Sequence, residues 1–287
     1  MKRKDFILKG ILTSLSAGFL SKNIKAESLN EVELLKSLGH NHIPNNETKT
    51  MNTVLHKAET RGRADHGWLK AKHTFSFANY RNPERMNFGV LRVLNDDIIQ
   101  GGKGFPSHPH DNMEIISIPL AGSIYHKDNM GNESKISSGD IQVMSAGSGV
   151  YHSEFNANNK KDLKLLQIWL FTNRRDVNPR YQQIPIRNIS VKNEFYQVLS
   201  PNESDQGVWI YQNAWFHIGS FDEDLSKTYK IKDTKNGLYA FIIDGDAEIE
   251  GQKLNTRDGF GIWDKNEISI KAKANSKILL MDVPMSV

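Results

Sequence analysis

The 287-residue chain contains no cysteine. That excludes a disulfide framework and the closed, thiolate-rich zinc sites that serve structural ends, and it is compatible with an oxidising compartment. Helical periodicity is sparse, which argues against a helical bundle. Beyond residue 26 no run approaches the roughly twenty apolar residues of a membrane-spanning helix, so stable membrane insertion is not expected. A basic surface is missing as well. Of the formal net charge of +4, residues 1–26 hold +5, from Lys2, Arg3, Lys4, Lys9, Lys22 and Lys25 against Asp5. The remainder has 31 basic against 32 acidic side chains, a net of −1. Without a basic stripe, nucleic-acid binding is not expected.

Residues 1–26 read as an export signal. Three cations precede an apolar, small-residue stretch from Phe6 to Leu20, with a cleavage point after Ala26. Arg3-Lys4-Asp5-Phe6-Ile7 resembles a twin-arginine signal with lysine in the second position. The expected location is therefore periplasmic; were the segment an ordinary amphipathic helix, the protein would be cytoplasmic. Residues 27–50 are polar, with a short helical pattern at Val32, Leu34, Leu35 and Leu38 and an ending at Pro44-Asn45-Asn46, and read as a tether.

From Met51 onward the signals are those of strands. Gly89 to Leu94, Glu114 to Leu120, Gly122 to His126 and Ile141 to Met144 alternate or run apolar between Gly, Asn and Asp turns. Short strands at regular spacing predict an all-β barrel or double sheet. A polar stretch rich in Asn and Arg then suggests a first domain over residues 51–172, a linker over 173–187 and a second domain over 188–287. Leu238 to Gly251 has the cadence of Ile115 to His126, and Leu254 to Trp263 echoes Ile136 to Met144, a weak internal repeat. The second copy carries no His pair and no His-Ser-Glu, so it is not expected to bind the same metal.

Chemistry concentrates between Gly102 and Glu154. Residues two apart on a strand point to one face, so His108 and His110 can present two imidazoles to one point, and His152 and Glu154 a second pair. Glycines and Pro106 before the first pair, and Gly147-Ser-Gly149 before the second, are turn chemistry that can bring both pairs to one interior. Three neutral nitrogens and one carboxylate suit a single divalent ion such as Fe(II), with Ni, Mn, Co, Cu or Zn as alternatives, and leave coordination positions open.

These residues resemble the two cupin motifs: His108-Pro-His110 with Glu114 four residues on, then Gly139, Gly147 and His152. A more specific resemblance is to the pirin family of bicupins. It rests on Arg61-Gly-Arg63, His66-Gly-Trp68, His73-Thr-Phe-Ser-Phe77, Phe88 to Asp97, His108-Pro-His110, Met144 to Glu154 and Gln167-Ile-Trp169. It implies two stacked jelly-roll barrels, with one metal in the first and a degenerate second. In many cupins the first-motif glutamate is the carboxylate ligand, which nominates Glu114; pirins resemble a different solution, with the carboxylate two residues beyond the last histidine, which nominates Glu154. Glu154 is the favoured ligand and general base, with Glu114 orienting an imidazole from outside the ligand set. His126 and His73 are candidates for the rim, and Phe75, Phe77 and Met144 for the pocket wall.

The resemblance also implies a function. Bacterial members are linked to quercetin 2,3-dioxygenase activity, so the expectation is an enzyme that cleaves a flavonol or related phenolic ring with dioxygen, working as a monomer. A metal-dependent binding or regulatory module without turnover is the alternative. The neutral charge after residue 26 argues against a nucleic-acid-linked role.

Overall fold

The computed structural model describes residues 51–286; the expected export segment and tether lie outside the described residues. Twenty-two strands and two short 3-10 turns make up the regular structure, and no α-helix occurs among the described residues. The first twelve strands are β1 (Asn52–His56), β2 (Gly62–Asp65), β3 (Leu69–His73), β4 (Leu91–Ile99), β5 (Gly104–His110), β6 (Met113–Ala121), β7 (Ser123–Asp128), β8 (Glu133–Ser137), β9 (Asp140–Ser145), β10 (Val150–Asn156), β11 (Leu163–Phe171) and β12 (Arg180–Pro185). The rest are β13 (Phe195–Ser200), β14 (Val208–Trp209), β15 (Trp215–Phe221), β16 (Leu225–Lys230), β17 (Asn236–Asp244), β18 (Ala247–Ile249), β19 (Gln252–Leu254), β20 (Gly259–Trp263), β21 (Glu267–Ala272) and β22 (Ser276–Pro284).

Each half is a jelly roll of one seven-stranded and one four-stranded sheet. In the first half the orders are β12-β9-β6-β11-β4-β3-β2 and β5-β10-β7-β8; in the second they are β1-β20-β17-β22-β15-β13-β14 and β16-β21-β18-β19. The four-stranded sheets and the central strands of the seven-stranded sheets follow the same order in the two halves, which makes the weak sequence repeat a structural one; the edges differ, since β2 runs antiparallel to β3 and β14 parallel to β13.

Alternation along the central strands shows how one sequence serves two cores. On β11, Leu163 and Leu165 belong to the interior of the first jelly roll, while Leu166, Ile168 and Leu170 join a cluster with Phe216, Ile218, Leu279 and Met281 of the second. On β17, Leu238, Ala240 and Ile242 face inward, and Tyr239, Phe241 and Ile243 face the first half. The seven-stranded sheets thus pack face to face, and near-continuous apolar runs are the expected signature of strands covered on both sides.

Two expected boundaries need correction. Residues 173–187 are more than a linker, because β12 adds to the first sheet along β9, pairing Arg180 with Ser145 through Pro185 with Asp140. Asn52–His56, expected in the first domain, instead edges the second sheet, pairing with β20 from Asn52–Trp263 to His56–Gly259. A chain beginning at Met51 should therefore fold and melt as the full chain does, whereas one beginning at Ala58 should lose this strand and melt lower. Calorimetry of the two truncations checks this.

Strand β1 carries a pH signature. Burial, then the charge of Arg85, push His56 down from 6.5 to about 4, and its Nδ1 lies 2.8 Å from the Tyr239 hydroxyl. Between those two values the unfolded chain holds a proton that the folded chain refuses, so stability should fall as pH drops from the higher value to the lower. The loss is on the order of 3 kcal/mol at most. Urea unfolding of metal-free protein at about pH 7 and about pH 4.5 should show a smaller drop for His56→Gln than for the wild type.

Candidate metal centre

Strands β5 and β10 lie side by side with His152 opposite His108 and Val150 opposite His110. Close approach is required there: a Cβ on Gly104 would fall 2.2 Å from the Glu154 carbonyl oxygen. The turn into β10 depends on Gly147, whose φ is +50° and whose Cβ would meet the Val177 carbonyl at 2.1 Å. Between His152 and Glu154 the register slips, so that Glu154 pairs with Phe105, a bulge that places an extra residue on β5 near Pro106. The Pro106 carbonyl accepts a hydrogen bond from His108 Nδ1 at 2.8 Å. A carbonyl can only accept, so the proton sits on Nδ1 and the lone pair on Nε2.

The three imidazole rings converge, with centroids 4.4 Å apart for His108 and His152, and 4.9 Å for each ring to His110. One nitrogen from each lies within 4.8 Å of the others. His152 is 2% exposed, and its Nε2 has no hydrogen-bond partner. Its Nδ1 is 3.5 Å from His126 Nδ1, and His126 Nε2 is 3.0 Å from Asp128 Oδ2. Asp128 is itself held by the backbone N–H groups of Met130 and Asn132. This chain of contacts fixes the His152 ring from behind. Burial, then the neighbouring histidines, push His152 down to about 2, while burial and His108 push His110 down to about 4. Both are neutral near pH 7, the form that binds metal. Orphaned, neutral and convergent nitrogens fit one divalent ion.

Glu154 stands beside this group. It forms a second cluster with His126 and His152, all donor atoms within 4.8 Å, so it reaches the three-imidazole set through His152. Its Oε2 accepts from Gln167 Nε2 at 2.8 Å and its Oε1 from Ser117 Oγ at 3.3 Å. Burial raises it to about 7, and those two hydrogen bonds oppose the rise. A cavity of about 280 Å³ opens beside these groups, lined among others by His108, His110, Glu154 and Gln167 and walled by Phe77, Phe105 and Trp169. Its size is near the lower end of small-molecule sites, about 300 Å³.

Glu114 is a correction. It sits on β6 beyond a turn in which Asn112 adopts φ +45°, so its side does not follow from that of His108 and His110. Its carboxylate accepts from Ser145 Oγ at 2.6 Å, and it shares the parity of Ile116 and Ile118, which face the second jelly roll. It orients no imidazole. His126 is wholly buried rather than at a rim, and His73 lines the cavity, its Nδ1 2.9 Å from Asn95 Oδ1. Of the proposed wall residues only Phe77 lines the cavity; Phe75 packs between the halves and Met144 with Ile115, Ala146 and Val150.

Sequence reasoning passed over Asn95 and Asp97 on β4 as cavity residues, although the inward parity of Gln167 on β11 pointed to the same face. In the second jelly roll the interior is filled by Ile249, Ile268, Ile270 and Ala272. That packing explains why it has no histidine cluster.

Such a site in such a fold defines a metal-binding bicupin. Residues 54–170 match the family model described as Pirin, and residues 197–283 the one described as Quercetinase C-terminal cupin domain. The quercetin 2,3-dioxygenase of Escherichia coli (strain K12) is 40% identical over 230 residues, covering 80% of this chain and 98% of its own. A pirin-like protein of Caulobacter vibrioides is 39% identical over 222 residues, covering 77% and 95%. The bacterial pirin YhhW from Escherichia coli, in complex with nickel(II), superposes with a TM-score of 0.77 at 38% identity, covering 82% of this chain and all of that one. The chain belongs to the pirin family.

Proposed function

We propose that the chain is a metal-dependent dioxygenase that cleaves a quercetin-like flavonol or related phenolic ring with dioxygen. The observation that carries this reading is the orphaned Nε2 of His152, converging with His108 and His110, which line an aromatic-walled cavity. The name of the Escherichia coli relative supports it. His108, His110 and His152 would hold the ion, with Glu154 completing the set. Fe(II) is the metal we favour, since imidazoles with one carboxylate and open positions suit it; the nickel in YhhW keeps that metal as the alternative.

When bound, the ion supplies Lewis acidity toward a phenolic hydroxyl. The chain supplies the rest. Glu154, poised near neutrality by burial, takes the hydroxyl proton at a carboxylate oxygen, and Gln167 and Ser117 hold that carboxylate in place. Phe77, Phe105 and Trp169 position a flat ring and exclude water. All of these groups come from one chain, so a monomer suffices. Export through residues 1–26 is part of the proposal; intact Met1 on protein recovered from its native host would refute it.

Protein isolated without oxygen should contain one divalent ion per chain and, given a panel of flavonols and catechols, should consume oxygen only while the ion is present. Metal-loaded protein that neither binds any of them nor takes up oxygen would leave the binding-module reading in its place.

A further inference from the structure

Asp97 is 3% exposed, lines the cavity, and has no hydrogen bond to its Oδ1. Its cross-strand neighbours are Ala71 on β3 and Leu165 on β11. One row further, Ile99 lies between Leu69 and Leu163. None of these offers a polar side chain, and the polar row on the other side, His73, Asn95 and Gln167, makes no hydrogen bond to Asp97. The adjacent Asp96 shows the contrast: on the other face of β4, its Oδ2 takes Arg61 at 3.3 Å and Arg257 at 3.1 Å. A buried carboxyl oxygen left without a donor destabilises a fold, so its retention points to a partner that arrives through the cavity.

A second atom points the same way. Trp169 Nε1, also in the cavity lining, is a buried donor with no acceptor. The Trp169 ring stands 4.9 Å from His110, and Leu165, opposite Asp97, lies four residues along β11 from it. That is about 13 Å of strand. The cavity therefore presents an unmet donor beside His110 and an unmet acceptor that lies opposite Leu165, within reach of the Glu154 charge.

We propose that Asp97 is a substrate-binding residue whose carboxyl group accepts a hydrogen bond from a ring hydroxyl of the bound phenol. This rests on the reading of the site as one for phenols, and it narrows the class: preferred substrates carry a further ring hydroxyl besides the one turned toward the metal.

The test is anaerobic binding to the metal-loaded full chain, followed by tryptophan fluorescence, with quercetin compared against 3-hydroxyflavone, which lacks the outer hydroxyls. The wild type should prefer quercetin by about tenfold, the upper end of what one hydrogen bond contributes. Asp97→Ala should cut that ratio to within about threefold while leaving metal content and the affinity for 3-hydroxyflavone within about twofold. Asp97→Leu keeps the volume and removes both oxygens should the alanine variant fail to fold, and should lower the ratio at least about threefold. A missing wild-type preference, or an unchanged ratio in the variants that fold, overturns the assignment. Oxygen uptake separates the two readings. A hydroxyl preference without uptake keeps Asp97 and removes the dioxygenase; uptake with an unchanged ratio does the reverse.

Discussion

His152→Ala should strip the chain of its metal and abolish metal-dependent oxygen uptake while both jelly rolls stay folded. His152 is shared by both donor clusters, the three imidazoles and the group with His126 and Glu154. Its Nε2 is the buried atom that no protein group satisfies, so removing the ring removes the nitrogen that the ion would pair with. Affinity should fall by at least about 100-fold, since loss of a ligand exceeds the roughly 10- to 100-fold cost of losing a residue that merely orients one. His126→Ala should show that smaller cost, because it leaves Nε2 in place and takes away only the contact behind the ring. Metal analysis and circular dichroism of the two variants make the comparison. Retention of one ion per chain in His152→Ala would refute the assignment.

The three histidines were legible because strand alternation is strict over two residues, and His108-Pro-His110 lies within a single strand. The same rule does not extend to Glu114, because Asp111 and Asn112 form a turn that starts a new strand with its own side assignment. Apolar periodicity located β11 and β17, yet only the three-dimensional packing separated their two buried faces, since Leu and Ile serve either one.

The largest omissions are non-local. Asn52–His56 reaches its partner β20 about 200 residues away, and β12 looks like polar linker because its residues are half-buried at a sheet edge. Asp97 was quoted within a motif, but the absence of a partner for a buried carboxyl is visible only once Ala71 and Leu165 are seen to flank it. Functional residues of this kind break the local pattern of their strand, and an isolated acid in an apolar row is where to look for them.

Glu154→Gln should lose most of its turnover and part of its metal, whereas Glu114→Gln should keep both. The substitution at residue 154 is close to isosteric, and the amide can satisfy both neighbours: its oxygen accepts from Gln167 Nε2, and its NH2 group donates to Ser117 Oγ. Folding is therefore preserved and the difference lies in charge. An anionic oxygen that both binds metal and accepts a proton becomes a neutral one, and losing a general base costs about 10²- to 10⁴-fold in rate. A base must be ionised to act, so wild-type kcat/KM should decline as pH falls through the Glu154 ionisation; metal-free burial sets that at about 7 and a bound cation moves it lower. Glu154→Gln should lack that acidic limb, the signature that a merely structural role would not move. Glu114→Gln exchanges a carboxylate for an amide that still accepts from Ser145 Oγ on the face toward the second jelly roll, so its metal content and pH profile should match the wild type. A larger loss from Glu114→Gln would reverse the ligand assignment, because only a carboxylate on the inner face of the first jelly roll can reach the ion that the imidazoles hold.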